Sequence, residues 1–442
     1  MEPKRIYLET FGCQMNEHDS EKILEILSPL GYRRTVHVHE ADLILINSCT
    51  VREKPEHKVY STLGRLRRLK QNKRGLVIGV GGCLAQQEGA RLLERVPHLD
   101  LVFGPHNLSM LPSLLEDVRK RGSRRCETGF RECASSMEVV PLLEVKVRAY
   151  VTIMEGCNNF CSYCIVPMVR GPERSRSMAG ILNEVRILAG KGVKEVILLG
   201  QNVNSYGKGL KEEASFPALL REIDRIGGIE RIRFTTSHPK DLSPELVRCF
   251  QDLPKLCEHI HLPFQSGSDR ILKRMNRSYT REDYLEKVER LREVCPTIAI
   301  TADALVGFPG ESDRDFADTM DLIRRVQFDG LFSFRYSRRR GTAAADYPDQ
   351  VPEQIKRERL RILQEVQRAV TRRKNQEAEG RVEMVLVEGR SHKDPGEMTG
   401  RTRSNRIVNF PAGTDLVGKE VPVRIEKGLA NSLRGVLLDD KV

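Results

Sequence analysis

Short apolar runs alternate with amphipathic helical stretches twice along this 442-residue chain, and that alternation restricts the fold more than any other feature. In the first series the strand-like runs are residues 5–9, 43–47, 76–80 and 99–103, separated by helical patterns such as SEKILEILSPL, KVYSTLGRLRRLK and GARLLERV. Apolar strands joined by helices form βαβ units, whose sheet is parallel and covered on both faces. Residues 1–120 are therefore read as an α/β domain with a doubly wound parallel sheet. Residues 121–147, with RGSRR, Cys126, Cys133 and little periodicity, read as a connector able to add an edge strand.

The second series places strands at 149–154, 195–199, 231–236, 259–264, 298–306 and 331–336. These six βα units fall short of the eight that close a full barrel. They predict a partial (βα)6 TIM-like barrel over residues 148–373, open on one side and ending in the basic helix 356–374. Over 374–442, short runs at 382–387, 407–410, 420–425 and 433–438 are broken by Gly, Pro and Asp, the pattern of a small OB-like β-barrel.

The 73 Lys and Arg exceed the 61 Asp and Glu by 12, which favours a polyanionic partner, most simply nucleic acid, although a membrane surface would also attract it. No apolar run approaches the roughly 18 residues that span a bilayer. MEPKRIYLETFG lacks a secretory apolar core, so the expected setting is cytoplasmic, with no membrane partner. Eleven cysteines, an odd number on a long chain, argue for metal ligation or catalysis over a disulfide scaffold.

Within MEGCNNFCSYC, Cys157, Cys161 and Cys164 follow a barrel strand with C-x3-C-x2-C spacing. A structural zinc site takes paired C-x2-4-C units and a fourth ligand, and no local Cys or His supplies one. Three thiolates on a [4Fe–4S] cluster leave one iron open to a small molecule. That iron suits the amino and carboxylate groups of S-adenosylmethionine, whose reductive cleavage gives a radical able to take hydrogen from unactivated carbon. The blander alternatives are a zinc loop or a chance trio of buried thiols. The location at the C-terminal end of a barrel strand favours the cluster.

Cys13, Cys49 and Cys83 are far apart in sequence, yet each follows a strand of the first series: IYLETFGC, LILINSC and LVIGVGGC. Parallel strand ends share the ligand-binding edge of an open sheet, so these thiols are candidates for a second cluster. Strand order is not visible in the sequence, and buried structural cysteines are the competing reading. Cys126, Cys133, Cys249, Cys257 and Cys295 show no such pattern and read as core or surface residues.

LLGQNVNSYG and LPFQSGSD put amides and hydroxyls just after strands. Gln201, Asn202, Gln265 and Ser266 are candidate contacts to the methionine or ribose of a nucleoside cofactor, with ordinary turn chemistry as the alternative. VGFPGES, residues 306–312, offers backbone groups to an adenine or a tight βα turn. His238 sits on the same rim, and His259 and His261 read as hydrogen-bonded structural residues. The basic runs at 335–340 and 356–374, with Arg401, Arg403 and Arg406, read as an RNA-backbone footprint.

Across nearly its whole length the chain resembles the radical S-adenosylmethionine methylthiotransferases. TFGCQMNEHDSE, NSCTVREKPEHKVYSTLGRL, GGCLAQQ, IMEGCNNFCSYCIVP, LLGQNVNSYG, RIRFTTSHP, HLPFQSGSDRILKRMNR and VGFPGE carry the resemblance. CQMNEHDSE and VREKPEHKVYS lean towards the branch acting on isopentenyladenosine, away from relatives acting on threonylcarbamoyladenosine or on a ribosomal protein. The resemblance implies two [4Fe–4S] clusters, an auxiliary one on Cys13, Cys49 and Cys83 and a radical one on Cys157, Cys161 and Cys164. It also implies S-adenosylmethionine as cofactor, a C-terminal TRAM domain for RNA, and no catalytic side chain beyond the cluster ligands.

The implied reaction replaces the C2–H of N6-isopentenyladenosine, beside the tRNA anticodon, with S–CH3. One S-adenosylmethionine methylates a sulfur on the auxiliary cluster and a second supplies the radical. The implied partners are tRNA through its anticodon stem-loop, an electron donor such as flavodoxin or ferredoxin, and a sulfur donor, with the chain acting as a monomer. The chain departs from the family where Y-S-P-R-P-G-T-P is usual: it carries Arg338, Arg339 and Arg340. Met168 and Pro172 are further departures after the radical cluster.

Overall fold

The computed structural model describes residues 3–50, 53–130, 146–211, 214–391 and 394–438. Cys133 and most of the expected connector lie outside the described residues. The chain forms two compact units. One takes Met1–Glu144 with Glu155–Asn158 and Cys164–Arg174, and the other takes Val145–Met154, Asn159–Tyr163 and Ser175–Val442.

The first unit is built on β1 (Lys4–Phe11), β2 (Tyr32–Arg34), β3 (Leu43–Ser48), β4 (Val77–Gly81), β5 (Leu101–Phe103) and β6 (Arg125–Glu127). They lie in the order β2-β1-β3-β4-β5-β6, every pair parallel. The doubly wound sheet expected from the alternation is present. β3 and β4 are buried along their whole length. Leu43 and Leu45 pack with Ile23, Leu27 and Leu115 on one face, while Ile44 and Ile46 pack with Val59, Leu63 and Leu84 on the other. The chain turns to one side of β1 for β2 and to the other for β3, so the winding reverses between β1 and β3. Such a reversal opens a crevice at the carboxyl ends of the strands. β6 is the edge strand anticipated in the connector and carries the sheet past residue 120. β2 was not expected, because three residues with one buried side chain show no period.

In the second unit, Arg148–Thr152, Glu195–Leu199 and Arg231–Phe234 pair in parallel, as do His259–His261, Ala299–Val306 and Gly330–Arg335. A bridge between Ile232 and Leu256 joins the two halves. This is the partial barrel expected from six βα units. The helix Glu353–Gln376 packs on Gly330–Arg335 and leads into a closed five-stranded barrel. One of its strands, Glu397–Thr402, escaped the sequence reading because EMTGRT holds a single large apolar residue. Closure buries Met398, Gly400 and Thr402, and a Cβ on Gly400 would sit 2.4 Å from the Leu386 carbonyl oxygen.

Arg401, Arg403 and Arg406, expected in an RNA footprint, each pair with a carboxylate of the chain itself. Arg403 pairs with Glu258 at 2.8 Å, Arg406 with Asp329 at 3.2 Å and Arg401 with Glu388 at 3.0 Å. From the other side, fully buried Arg231 pairs with Glu420 and donates to the carbonyls of Arg401 at 2.7 Å and Met384 at 3.1 Å. Arg233 donates to the carbonyls of Thr402 and Arg403 at 2.7 and 2.8 Å. These arginines fasten the small barrel to the N-terminal ends of the partial-barrel strands. The other basic runs are also largely engaged. Lys356 donates to the Tyr336 carbonyl at 3.1 Å, Arg359 pairs with Glu311 at 2.8 Å, Arg361 with Glu358 and Glu365, and Arg338 with the Ala345 carbonyl at 2.9 Å.

Candidate metal centre

Strand register puts three thiols of the first unit level with one another. Phe11 of β1 pairs with Ser48 of β3, and Asn47 of β3 with Gly81 of β4. Cys13, Cys49 and Cys83 lie one or two residues beyond those pairs, and the Cys49 amide donates to the Phe11 carbonyl at 2.8 Å. Close approach of the loops demands glycine twice. A Cβ on Gly12 would meet Cys49 Cβ at 2.6 Å, and one on Gly82, at φ +88°, would meet Asn47 Oδ1 at 2.3 Å. Asn47 ties the loops together by donating to the Asn16 carbonyl at 2.8 Å and to Ser20 Oγ at 2.9 Å.

The hydrogen bond with the Cys49 thiol draws the Cys13 thiol down to about 6. Burial opposes that, while the Arg170 charge and the N–H groups of Asn16 and Met15 assist it. Burial pushes the Cys83 thiol up, although Arg170 Nε stands 3.3 Å from its sulfur. Among the described residues, no three His, Cys, Asp or Glu side chains are arranged to hold a single metal ion. A cuboidal cluster puts each thiolate on a different iron and so wants a wider spread. A thiol-only donor set, an acidified cysteine and a buried cation beside it fit an iron–sulfur cluster.

The second cysteine loop is pinned residue by residue. Gly156 has φ +77°, and a Cβ there would strike the Pro172 carbonyl oxygen at 2.0 Å. The Cys157 amide donates to the Gly171 carbonyl at 3.2 Å. In the other unit, the Ser162 amide donates to the Met275 carbonyl at 3.0 Å, and Asn276 Nδ2 donates to the Phe160 carbonyl at 3.0 Å. Arg277, buried and bonded to Tyr279 Oη at 2.9 Å and the Pro263 carbonyl at 2.7 Å, directs Nη1 towards Cys161 Sγ at 3.8 Å. Cys249 and Cys257 are core residues whose thiols burial raises to about 11. Buried Cys295 has its thiol raised too, and Cys126 is exposed.

Loops after the Glu195–Leu199 and Arg231–Phe234 strands carry buried polar atoms with no hydrogen-bond partner among the described residues: Asn202 Oδ1, both amide atoms of Asn204, Ser237 Oγ and His238 Nε2. Such atoms are rare in folded proteins and call for a ligand or water. Asn202 Nδ2 donates to Asp241 Oδ2 at 2.7 Å, which fixes the direction of its free oxygen. Burial resists the charge on Asp241, yet donors from Lys208, Lys240 and Asn202 hold its carboxyl down at about 2. Burial and then Arg277 keep His238 neutral, at about 2. Its Nδ1 accepts from the Lys240 amide at 3.2 Å, so the proton lies on Nε2. Sequence reasoning named Asn202 and His238 on this rim but missed Asn204 and Ser237.

Thr236 and Gln265 sit at φ +69° and +64°, a strained conformation for residues other than glycine that often marks a ligand clamp. Gln201 is half-buried in the same loop as Asn202. The Ser266 hydroxyl accepts from the Ser268 amide at 3.2 Å, a turn role.

In VGFPGES, Glu311 accepts from the Gly307 amide at 2.9 Å. Burial pushes its carboxyl from an ordinary 4.5 up to about 7, against the Gly307 N–H and Arg359. Between those values the unfolded chain is ionised there while the folded chain holds the proton, so stability falls as pH rises. Urea unfolding of the metal-free chain at pH 5 and pH 7 is expected to show a loss of about 1–3 kcal/mol, absent in Glu311→Gln.

Three family models match the chain: the radical SAM superfamily over residues 151–323, uncharacterized protein family UPF0004 over residues 5–104 and the TRAM domain over residues 376–438. A tRNA-2-methylthio-N(6)-dimethylallyladenosine synthase of Syntrophus aciditrophicus (strain SB) is 55% identical, covering 100% of this chain and 96% of its own length. The chain belongs to the tRNA-2-methylthio-N(6)-dimethylallyladenosine synthase family. The enzyme of that name from Syntrophobacter fumaroxidans is 53% identical over 99% of this chain and 96% of its own. A solved structure of the radical S-adenosylmethionine methyltransferase TsrM from Kitasatospora setae, with cobalamin and a [4Fe-4S] cluster bound, covers 77% of each chain at TM-score 0.56 and 16% identity. That likeness speaks for the fold alone. Membership of the synthase family brings S-adenosylmethionine and a [4Fe–4S] cluster as cofactors. No helix among the described residues is long and apolar enough to cross a membrane.

Proposed function

We propose that this protein is a tRNA methylthiotransferase that converts N6-isopentenyladenosine next to the anticodon into 2-methylthio-N6-isopentenyladenosine. The observation that carries the reading is the level placement of Cys13, Cys49 and Cys83 at the ends of three adjacent parallel strands, in a chain that also holds the Cys157, Cys161 and Cys164 trio. The first trio holds an auxiliary [4Fe–4S] cluster and the second the radical cluster. Bound there, the clusters supply the electron that cleaves S-adenosylmethionine and the sulfur that replaces the C2 hydrogen.

The chain's own groups bind and orient. Neutral His238 offers an Nε2–H, Asn202 an oxygen aimed by Asp241, and Asn204 and Ser237 further polar contacts to the cofactor, with Gln201 and Gln265 candidates by their place in the same rim loops. Arg277 holds a fixed positive charge beside the Cys161 sulfur. Residues 1–120 serve the auxiliary cluster, 148–373 the radical chemistry and 374–442 the RNA. With Arg401, Arg403 and Arg406 engaged internally, phosphate contacts of the small barrel fall to exposed Arg381, Lys419, Arg424 and Lys427. A reductant such as flavodoxin or ferredoxin and a sulfur donor complete the system.

Reconstituted protein incubated with isopentenylated tRNA, reductant and S-adenosylmethionine is expected to yield the 2-methylthio nucleoside by mass spectrometry. Modification of threonylcarbamoyladenosine alone would contradict the assignment. Asn202→Ala is expected to weaken S-adenosylmethionine binding about tenfold in calorimetric titration, the equivalent of one lost buried hydrogen bond.

A further inference from the structure

We infer that Arg170 is a positioning residue for the auxiliary cluster: locked by Asp19, its guanidinium donates to the Cys83 sulfur and sets how readily that cluster accepts an electron. The inference rests on the reading that Cys83 is a cluster ligand.

Arg170 is 3% exposed. It ends the helix Val166–Arg170, and the neighbouring Ile165 and Val169 pack against Cys83, which fixes the guanidinium in place. Its three nitrogens face different groups. Nε lies 3.3 Å from Cys83 Sγ and Nη2 lies 2.6 Å from Asp19 Oδ2. Nη1 stands 4.0 Å from Glu155 Oε1 and has no hydrogen-bond partner among the described residues. His106 lies 3.9 Å from the same carboxylate.

A guanidinium does not lose its proton, and its rigid fork can serve a sulfur and a carboxylate together. Hydrogen bonds to ligand sulfurs and net charge nearby are the levers by which a protein sets cluster potential. Reduction adds one negative charge, so a buried cation beside the sulfur favours it and the neighbouring Asp19 carboxylate opposes it.

The test uses the full chain with Cys157, Cys161 and Cys164 changed to Ala, so that the auxiliary cluster is observed alone, reconstituted anaerobically and titrated by EPR-monitored potentiometry. Arg170→Met is expected to move the midpoint to more negative potential, Arg170→Lys to leave it nearer the parent, and Asp19→Asn to move it to more positive potential. A merely structural role predicts no opposite-signed pair. If Arg170→Met assembles no cluster, Arg170→Gln takes its place, with the same negative shift expected. Assembled clusters with unmoved midpoints, or shifts of the same sign, overturn the inference while leaving Cys83 as a ligand. A parent that holds no cluster overturns the ligand assignment and the inference with it.

Discussion

Replacing Cys161 by Ala is expected to abolish 5′-deoxyadenosine formation from S-adenosylmethionine while the iron held by Cys13, Cys49 and Cys83 stays in place. Cys161 stands in a loop whose backbone is held by the Met275 carbonyl and the Asn276 side chain, so the substitution removes a sulfur without freeing the loop. Cys13, Cys49 and Cys83 depend on β1, β3 and β4 and their glycines, none of which the substitution touches. Chromatographic assay of 5′-deoxyadenosine with iron counting on the same sample checks both halves. The converse variant, Cys13→Ala, is expected to keep cofactor cleavage and lose methylthiolation. Cleavage activity surviving in Cys161→Ala would contradict the assignment of that cysteine.

The second large effect concerns stability. Arg231→Ala is expected to cost about 3 kcal/mol, read as a lowered urea midpoint. It strips the Arg401 and Met384 carbonyls of their buried donor and leaves a void where a fully buried side chain lay. Glu420→Gln, on the other side of the same pair, is expected to cost less than Arg231→Ala, because Gln keeps an oxygen that accepts from Arg231 Nε and leaves the carbonyl contacts in place. A symmetrical pair of effects would mean that the ion pair, not the carbonyl contacts, fastens the small barrel. Removing residues 376–442 for a tRNA-binding test therefore also unseats Arg231 and Arg233, and an intact chain with substitutions at Arg381, Arg424 and Lys427 is the cleaner comparison.

Much of this architecture is legible in the sequence because β3 and β4 are buried on both faces and read as the apolar runs LILI and VIGVG. Strands that lack such runs, YRR at β2 and EMTGRT in the small barrel, owe their existence to pairing partners remote in the chain and leave no local period. The cysteines stand out by residue type and by their place after strands. Their convergence does not, since it depends on β3 lying between β1 and β4, a matter of topology. Arg170 is silent for the same reason: its partners Cys83 and Asp19 lie 87 and 151 positions away. Arg403 misleads because a basic residue in a basic run looks free, whereas Glu258, 145 positions back, already holds it.

The account stands on the auxiliary site, and iron and acid-labile sulfide analysis with Mössbauer spectroscopy on the reconstituted chain tests it most directly. The parent is expected to carry about eight irons as two [4Fe–4S] clusters, and the Cys13→Ala, Cys49→Ala, Cys83→Ala triple variant about four. A triple variant retaining the full complement would contradict it.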